Sequence, residues 1–164
     1  MLMSLLPFPP HGRQISDEVR PFITTTTPIN AKTKVPLQTQ TLTAVFSEPV
    51  VLKNGTVRLY QELDGLSPVV VQTMNITDPN AVALVDDTTL RLTLTPNVLR
   101  HEGAAFYIEV DASVVADLAY EPNTNVAVED NADWRFATDF RSHMRVGSGA
   151  EIHMGSGKLE FHDL

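Results

Sequence analysis

The chain has 164 residues, of which 43% are hydrophobic and none is cysteine, and its formal net charge is −8. This length and apolar content are those of one domain with a substantial core, and the lack of cysteine excludes disulfides, thiolate nucleophiles and cysteine metal sites. The acidic charge argues against nucleic acid and anionic membranes as partners, because both attract Lys and Arg.

Residues 1–20 form an apolar, proline-rich segment followed by a polar patch, which predicts an arm outside the domain. Pro7, Pro9 and Pro10 favour extended or polyproline geometry. The segment has neither the basic start nor the cleavage site of a signal peptide, so we expect no export by a leader of its own. The segment is either a disordered tail or an arm that docks on a neighbouring molecule. The apolar residues available for docking are Leu5, Leu6 and Phe8.

Short runs that alternate apolar and polar residues predict β-strands between residues 21 and 139. The run 42–47 directs Leu42, Ala44 and Phe46 to one face, and Pro49 ends it because proline cannot donate to a β-ladder. Further strands are predicted at 22–27, 56–60, 69–74, 81–85, 88–95, 105–110 and 134–138.

The intervening segments predict connections. Asn54-Gly55 and Asp64-Gly65 are turn signals, because glycine takes positive φ without strain. Residues 32–40 are predicted to be a connection, residues 112–118 a single helical turn, and residues 121–133 a polar, acidic loop. About seven short strands without a long helical period predict an all-β antiparallel β-sandwich over residues 21–139.

Residues 140–164 repeat Gly-Ser-Gly at 147–149 and at 155–157, and so short a repeat cannot bury a core of its own. This segment is either a flexible linker or an extended arm that adds to the sheet of a neighbouring chain. The apolar residues available for such docking are Ile152, Met154, Leu159 and Phe161.

Five segments of this chain resemble bacterial Ig-like domains of the S-layer-protein type. They are LTAVFSEPV from residue 42, LRLTLTP from 90, FYIEVD from 106, VADL from 115 and WRFAT from 134. The resemblance covers about residues 21–139 and implies an Ig-like sandwich that acts as a non-catalytic spacer or adhesion module, as in surface layers, secreted enzymes and phage structural proteins. The family typically continues with Gly-Asn-Pro where this chain has Tyr120-Glu121-Pro122, so we expect a rebuilt turn there.

No nucleophile–base pair, zinc-binding histidine spacing or nucleotide-binding glycine pattern occurs in the sequence, so we expect no enzyme and no organic cofactor. The sequence suggests calcium as a bound metal, because calcium prefers oxygen ligands and acidic residues cluster in two neighbouring loops. The alternative is that these carboxylates are simply solvated. The calcium candidates are Asp111, Asp117, Glu129, Asp130 and Asp133.

Two functions remain. The first is a structural or assembly protein, most consistent with a phage virion component (capsid decoration or tail-associated) that is assembled in the host cytoplasm. Its arms are expected to dock it on other structural subunits or on copies of itself. The alternative is a cell-surface or carbohydrate-binding adhesion module that uses Tyr60, Tyr107 and Tyr120, with Trp134 in the core.

Overall fold

The computed structural model describes residues 19–140, 144–146 and 150–152, and this part of the chain contains only strands, turns and loops. It includes no helix with the length and hydrophobicity that a membrane crossing requires. In chain order the strands are β1 (Ile23–Thr27), β2 (Lys32–Val35), β3 (Thr41–Phe46), β4 (Val50–Leu52), β5 (Thr56–Gln61), β6 (Val69–Asn75), β7 (Val82–Leu84), β8 (Thr89–Thr93), β9 (Ala105–Val110), β10 (Val115–Asp117), β11 (Arg135–Thr138), β12 (Met144–Val146) and β13 (Ala150–Ile152).

Two sheets form an Ig-like sandwich, which confirms the predicted fold class. The first sheet has the order β1-β3-β8-β7, and the second has the order β2-β11-β9-β5-β6. All neighbours pair antiparallel except β2 and β11, which are parallel. The chain changes sheets between β1 and β2, at the cis peptide bond before Pro28.

The core lies between the two sheets and follows the predicted alternation. Leu42, Ala44 and Phe46 of β3 are buried, as are Leu90 and Leu92 of β8. The second sheet contributes alternate residues of β5, β9 and β11, and the rings of Phe106 and Phe136 stack with centroids 5.7 Å apart. Both faces of the core thus derive from period-2 patterns that the sequence displays.

A two-stranded ribbon of β4 and β10 lies outside the two main sheets. The prediction of a helical turn at 112–118 is wrong, because only Ala112 and Ser113 lie in a turn and Val115–Asp117 pairs with Val50–Leu52. Strand β4 was not predicted either. Each strand has three residues, which is too short for alternation to be recognisable.

The prediction that 32–40 is only a connection is wrong at its start, because Lys32–Val35 is strand β2. The parallel pairing places Lys32 opposite Phe136 and Val35 opposite Thr138. This pairing overrides a local sequence that is polar and contains Pro36.

The C-terminal segment includes a separate hairpin. Its strands β12 and β13 pair antiparallel with each other, from Met144 opposite Ile152 to Val146 opposite Ala150. This two-stranded sheet is joined to neither sheet of the sandwich.

Candidate interaction surfaces

Asp111, at the end of β9, is committed to internal hydrogen bonds. Its Oδ2 accepts from the backbone N (2.8 Å) and Oγ1 (2.7 Å) of Thr56, and its Oδ1 accepts from Nη1 of Arg58 at 2.9 Å. Burial acts to raise the pKa of Asp111, but the bonds from Thr56 and Arg58 outweigh it and the pKa lies below the ordinary aspartate value. The carboxylate therefore links β5 to β9.

Asp117, at the end of β10, organises the turn where this chain departs from the family pattern. Its Oδ1 accepts from the backbone N of Ala119 (3.1 Å) and of Asn123 (3.0 Å), and its Oδ2 accepts from Nδ2 of Asn123 at 3.0 Å. The turn needs no glycine, because none of residues 118–123 has positive φ. A buried carboxylate thus holds the rebuilt turn.

The calcium candidates are not brought together as a set. Asp130 accepts a hydrogen bond from the backbone N of Ala132 at 2.8 Å, and Asp133 lines a cavity on the side of the sandwich. Across residues 19–140, no group of three or more His, Asp or Glu side chains is placed to hold a metal ion. Calcium binding stays a prediction, which melting temperatures with calcium and with a chelator test.

Two of the three tyrosines proposed for carbohydrate binding meet on the outward face of the second sheet. Tyr60 of β5 lies opposite Tyr107 of β9, with ring centroids 4.7 Å apart and planes within 2° of parallel. Tyr107 is only 8% exposed, so it offers little ring surface to a sugar, whereas Tyr120 is 84% exposed. Trp134 is fully buried, in agreement with its expected place in the core.

An ion pair that sequence reasoning missed lies beside these rings. Nη2 of Arg135 donates to Oε2 of Glu62 at 2.6 Å, and Nδ2 of Asn131 donates to Oε1 of Glu62 at 2.7 Å. The hydrogen bond from Arg135 lowers the pKa of Glu62 below its ordinary value. Because 73 positions separate Glu62 from Arg135, no sequence spacing could indicate this contact.

A cavity of about 220 Å³ lies where β1 faces the segment that precedes β11. Ordinary ligand pockets have about 300–1,000 Å³, so the volume alone does not mark a small-molecule site. The indole Nε1 of Trp134 is buried and has no hydrogen-bond partner among the described residues. The lining residues are Phe22, Ile23, Thr26, Val126, Ala127, Val128, Asp133 and Trp134.

Three of the four sheet edges have features that oppose pairing with another chain. Strand β1 has an irregular register between Ile23 and Thr25, and β7 has only three residues. Strand β2 has four residues and exposes Lys32 and Lys34. Short strands, irregularities and lysines are common protections of sheet edges.

The fourth edge, β6, has weaker protection. It has seven residues, and Val71 is an extra residue in its ladder with β5, because Leu59 faces Gln72 whereas Tyr60 faces Val70. The strand contains neither proline nor a charged residue, and Val69 and Val70 are 42% and 47% exposed. The sequence predicted this strand, but not its place at an edge.

The residues proposed to dock the terminal arms fall almost entirely outside what the structure describes. Ile152 belongs to β13, while Leu5, Leu6, Phe8, Met154, Leu159 and Phe161 lie outside the described residues. At the start of the described part, Arg20 donates from Nε to the carbonyl of Thr124 at 2.9 Å and from Nη2 to that of Asn125 at 2.9 Å. The point at which the N-terminal segment meets the sandwich is therefore fixed.

Three comparisons relate this chain to known proteins. One similar solved structure is CopC from Methylosinus trichosporium OB3b, which is 12% identical to this chain with a TM-score of 0.47. The match covers 76% of this chain and 99% of the CopC chain. This likeness is too distant to indicate binding or activity. No curated protein matches the chain. The family model of the bacterial Ig-like domain matches residues 17–138, so this chain belongs to the bacterial Ig-like domain family.

Proposed function

We propose that this protein is a non-catalytic structural protein whose Ig-like body is docked on other subunits by its terminal arms. The observation that carries the proposal is the hairpin of β12 and β13, whose strands pair with each other and, among the described residues, with no strand of the sandwich. An isolated two-stranded hairpin is marginally stable in water. Packing against the surface of a neighbouring subunit would stabilise the hairpin of β12 and β13.

The finer proposal is that the assembly is a phage virion, with this chain as a capsid decoration or tail-associated component. Its support is the resemblance to bacterial Ig-like domains of the S-layer-protein type, together with the two apolar arms. Mass spectrometry of native material, separated into virus-like particles, cell envelope and cytosol, tests it. We expect enrichment in particles at many copies, whereas enrichment in the envelope would contradict a virion role.

The docking role of the C-terminal arm has its own test in the full-length chain. Replacing Ile152, Met154, Leu159 and Phe161 by serine should leave the melting temperature of the sandwich unchanged and remove incorporation into the assembly. The matched control is serine at Val85 and Val126, which are 51% and 46% exposed within the domain. Normal incorporation of the arm variant would contradict the proposal.

The second candidate is a carbohydrate- or cell-surface-binding adhesion module. One observation favours it, which is the 84% exposure of Tyr120 in the turn held by Asp117. Exposed aromatic rings are suited to stacking against apolar faces of ligands. A glycan array probed with the wild type and with Tyr120→Ala tests this function, and an array without signal for the wild type would exclude the sugars it displays.

A further inference from the structure

We infer that β6 is a pairing edge, and that its partner is β6 of a second copy of this chain. The two strands lie antiparallel about a two-fold axis, so that the five-stranded sheets of two copies join into one continuous sheet. A two-fold axis makes identical strands antiparallel and lets one edge serve both copies. Each β6 then gains backbone partners on its outer side, where within the described residues no strand pairs with it.

The four edge strands of the sandwich differ in how well they are protected against pairing. Edges β1, β2 and β7 are short, irregular or lysine-bearing, whereas β6 is the longest strand among those described and is uncharged. A long apolar edge without charges is a template for strand addition. The extra residue Val71 twists the edge but leaves Gln72–Asn75 in regular register with β5.

Because β6 carries no charge, its edge can meet the same edge of a second copy without repulsion between directly opposed side chains. The chain carries a net charge of −8, so most approaches of two copies bring like charges together. Between Asp64 and Asp78 no residue is charged, and this stretch contains all of β6. Like charges that lie directly opposite each other destabilise a pair of strands. Two copies that pair along β6 avoid this, because no carboxylate of one copy then faces a carboxylate of the other.

Exposed apolar side chains at the same edge supply the contact area. Leu66, Val69 and Val70 are 70%, 42% and 47% exposed, and Val70 lies beside Tyr60 in the outward row of the sheet. A two-fold axis at Val71 places Val71 opposite its copy and the two Val70 side chains diagonally across the joint, and it removes apolar surface from water on both copies. The inference is independent of the proposed function, because β6 belongs to the sandwich and not to an arm.

The test combines sedimentation of the full-length chain with amide hydrogen exchange. We expect wild-type chain to form a concentration-dependent dimer, with slower exchange at residues 69–75 in the dimer than in the monomer. Val70→Lys should raise the dimer Kd by about tenfold or more, because lysine on an edge opposes pairing. Val85→Lys is the matched control, since it introduces the same charge at a residue of similar exposure, and it should leave the Kd unchanged.

Three outcomes would overturn the inference. The first is a chain that stays monomeric at all concentrations. The second is a dimer in which residues 69–75 exchange as fast as in the monomer, which would place the contact elsewhere. The third is protection of residues 69–75 that does not depend on concentration, which would mean that a segment of the same chain covers the edge. Melting temperatures of both lysine variants establish that each is folded.

Discussion

At the scale of single residues, the buried side chain of Asn125 ties together segments that the sequence presents as unrelated. Its Oδ1 accepts from the backbone N of Val115 at 3.0 Å, and its Nδ2 donates to the carbonyls of Asp111 (2.9 Å) and Val126 (3.0 Å). The side chain is 0% exposed, so water cannot replace these bonds. The segment 121–133, predicted to be a polar, acidic loop, thus contains a buried side chain that hydrogen-bonds to the backbone of three other residues.

Asn125→Ala should therefore lower the free energy of unfolding by about 3 kcal/mol, because several buried backbone groups lose their partners at once. Urea denaturation at neutral pH measures the change. The matched control is Asn80→Ala, at an exposed asparagine in a turn, which should change the stability by less than about 0.5 kcal/mol. Equal effects of the two substitutions would contradict the role assigned to Asn125.

The carboxylate of Asp111 predicts a pH dependence of stability. Its folded-state pKa lies below the ordinary value, so the ionised form stabilises the fold above about pH 4, and this contribution is lost as the pH falls through the folded-state pKa. Asp111→Asn should cost about 1 kcal/mol at pH 7, a modest figure because 34% of the side chain is exposed and water screens its pair with Arg58.

Urea denaturation of the wild type and of Asp111→Asn between pH 7 and pH 2 measures this difference, which should shrink toward zero in acid. Asp64→Asn, at an exposed carboxylate in a turn, is the control and should follow the wild type throughout. A difference that stays constant down to pH 2 would mean that the substitution acts through packing and not through the charge.

At the scale of elements, strands with long alternation were predictable and strands defined by their partners were not. The alternation of 42–47 and 88–95 anticipates β3 and β8, with their buried leucines. By contrast β2, β4 and β10 have three or four residues each, and they exist because a neighbouring strand supplies the hydrogen bonds. No property of these short segments in isolation distinguishes them from loops.

Gly55, between β4 and β5, and Gly65, between β5 and β6, are predicted to differ in their tolerance of a side chain. Gly55 has φ +130°, and a Cβ there would lie 3.2 Å from Oγ of Ser113 and 3.3 Å from Cγ2 of Val114. Gly65 has φ +68° with no heavy atom within 4 Å of such a Cβ. Gly55→Ala should cost about 2 kcal/mol and Gly65→Ala about 1 kcal/mol, because only the first adds crowding to backbone strain.

Thermal denaturation of the two glycine variants beside the wild type measures this order. Both variants should melt below the wild type, with Gly55→Ala the lower of the two. The opposite order would contradict both the crowding by Ser113 and Val114 and the greater strain expected at φ +130° than at φ +68°.

At the scale of the whole molecule, the candidate surface could not be predicted because it depends on all four edges at once. The sequence shows the apolar run of Val69, Val70 and Val71 and predicts a strand there. It does not show that Lys32 and Lys34 protect one edge while those valines lie on another, because strand order is set by pairings far apart in sequence. The acidic residues of the calcium prediction are separated for the same reason, since Asp111 and Asp117 accept hydrogen bonds from different partners.

The net charge of −8 predicts that added salt strengthens the proposed dimer. If two chains of charge −8 meet along an uncharged strand, their long-range interaction is repulsive and salt should weaken it. Raising the ionic strength from 0.01 M to 0.15 M shortens the Debye length from about 30 Å to about 8 Å. The dimer Kd from sedimentation should therefore fall severalfold over this range. A rise would mean that opposite charges hold the copies together, which the uncharged strand β6 cannot supply, and it would contradict pairing along β6.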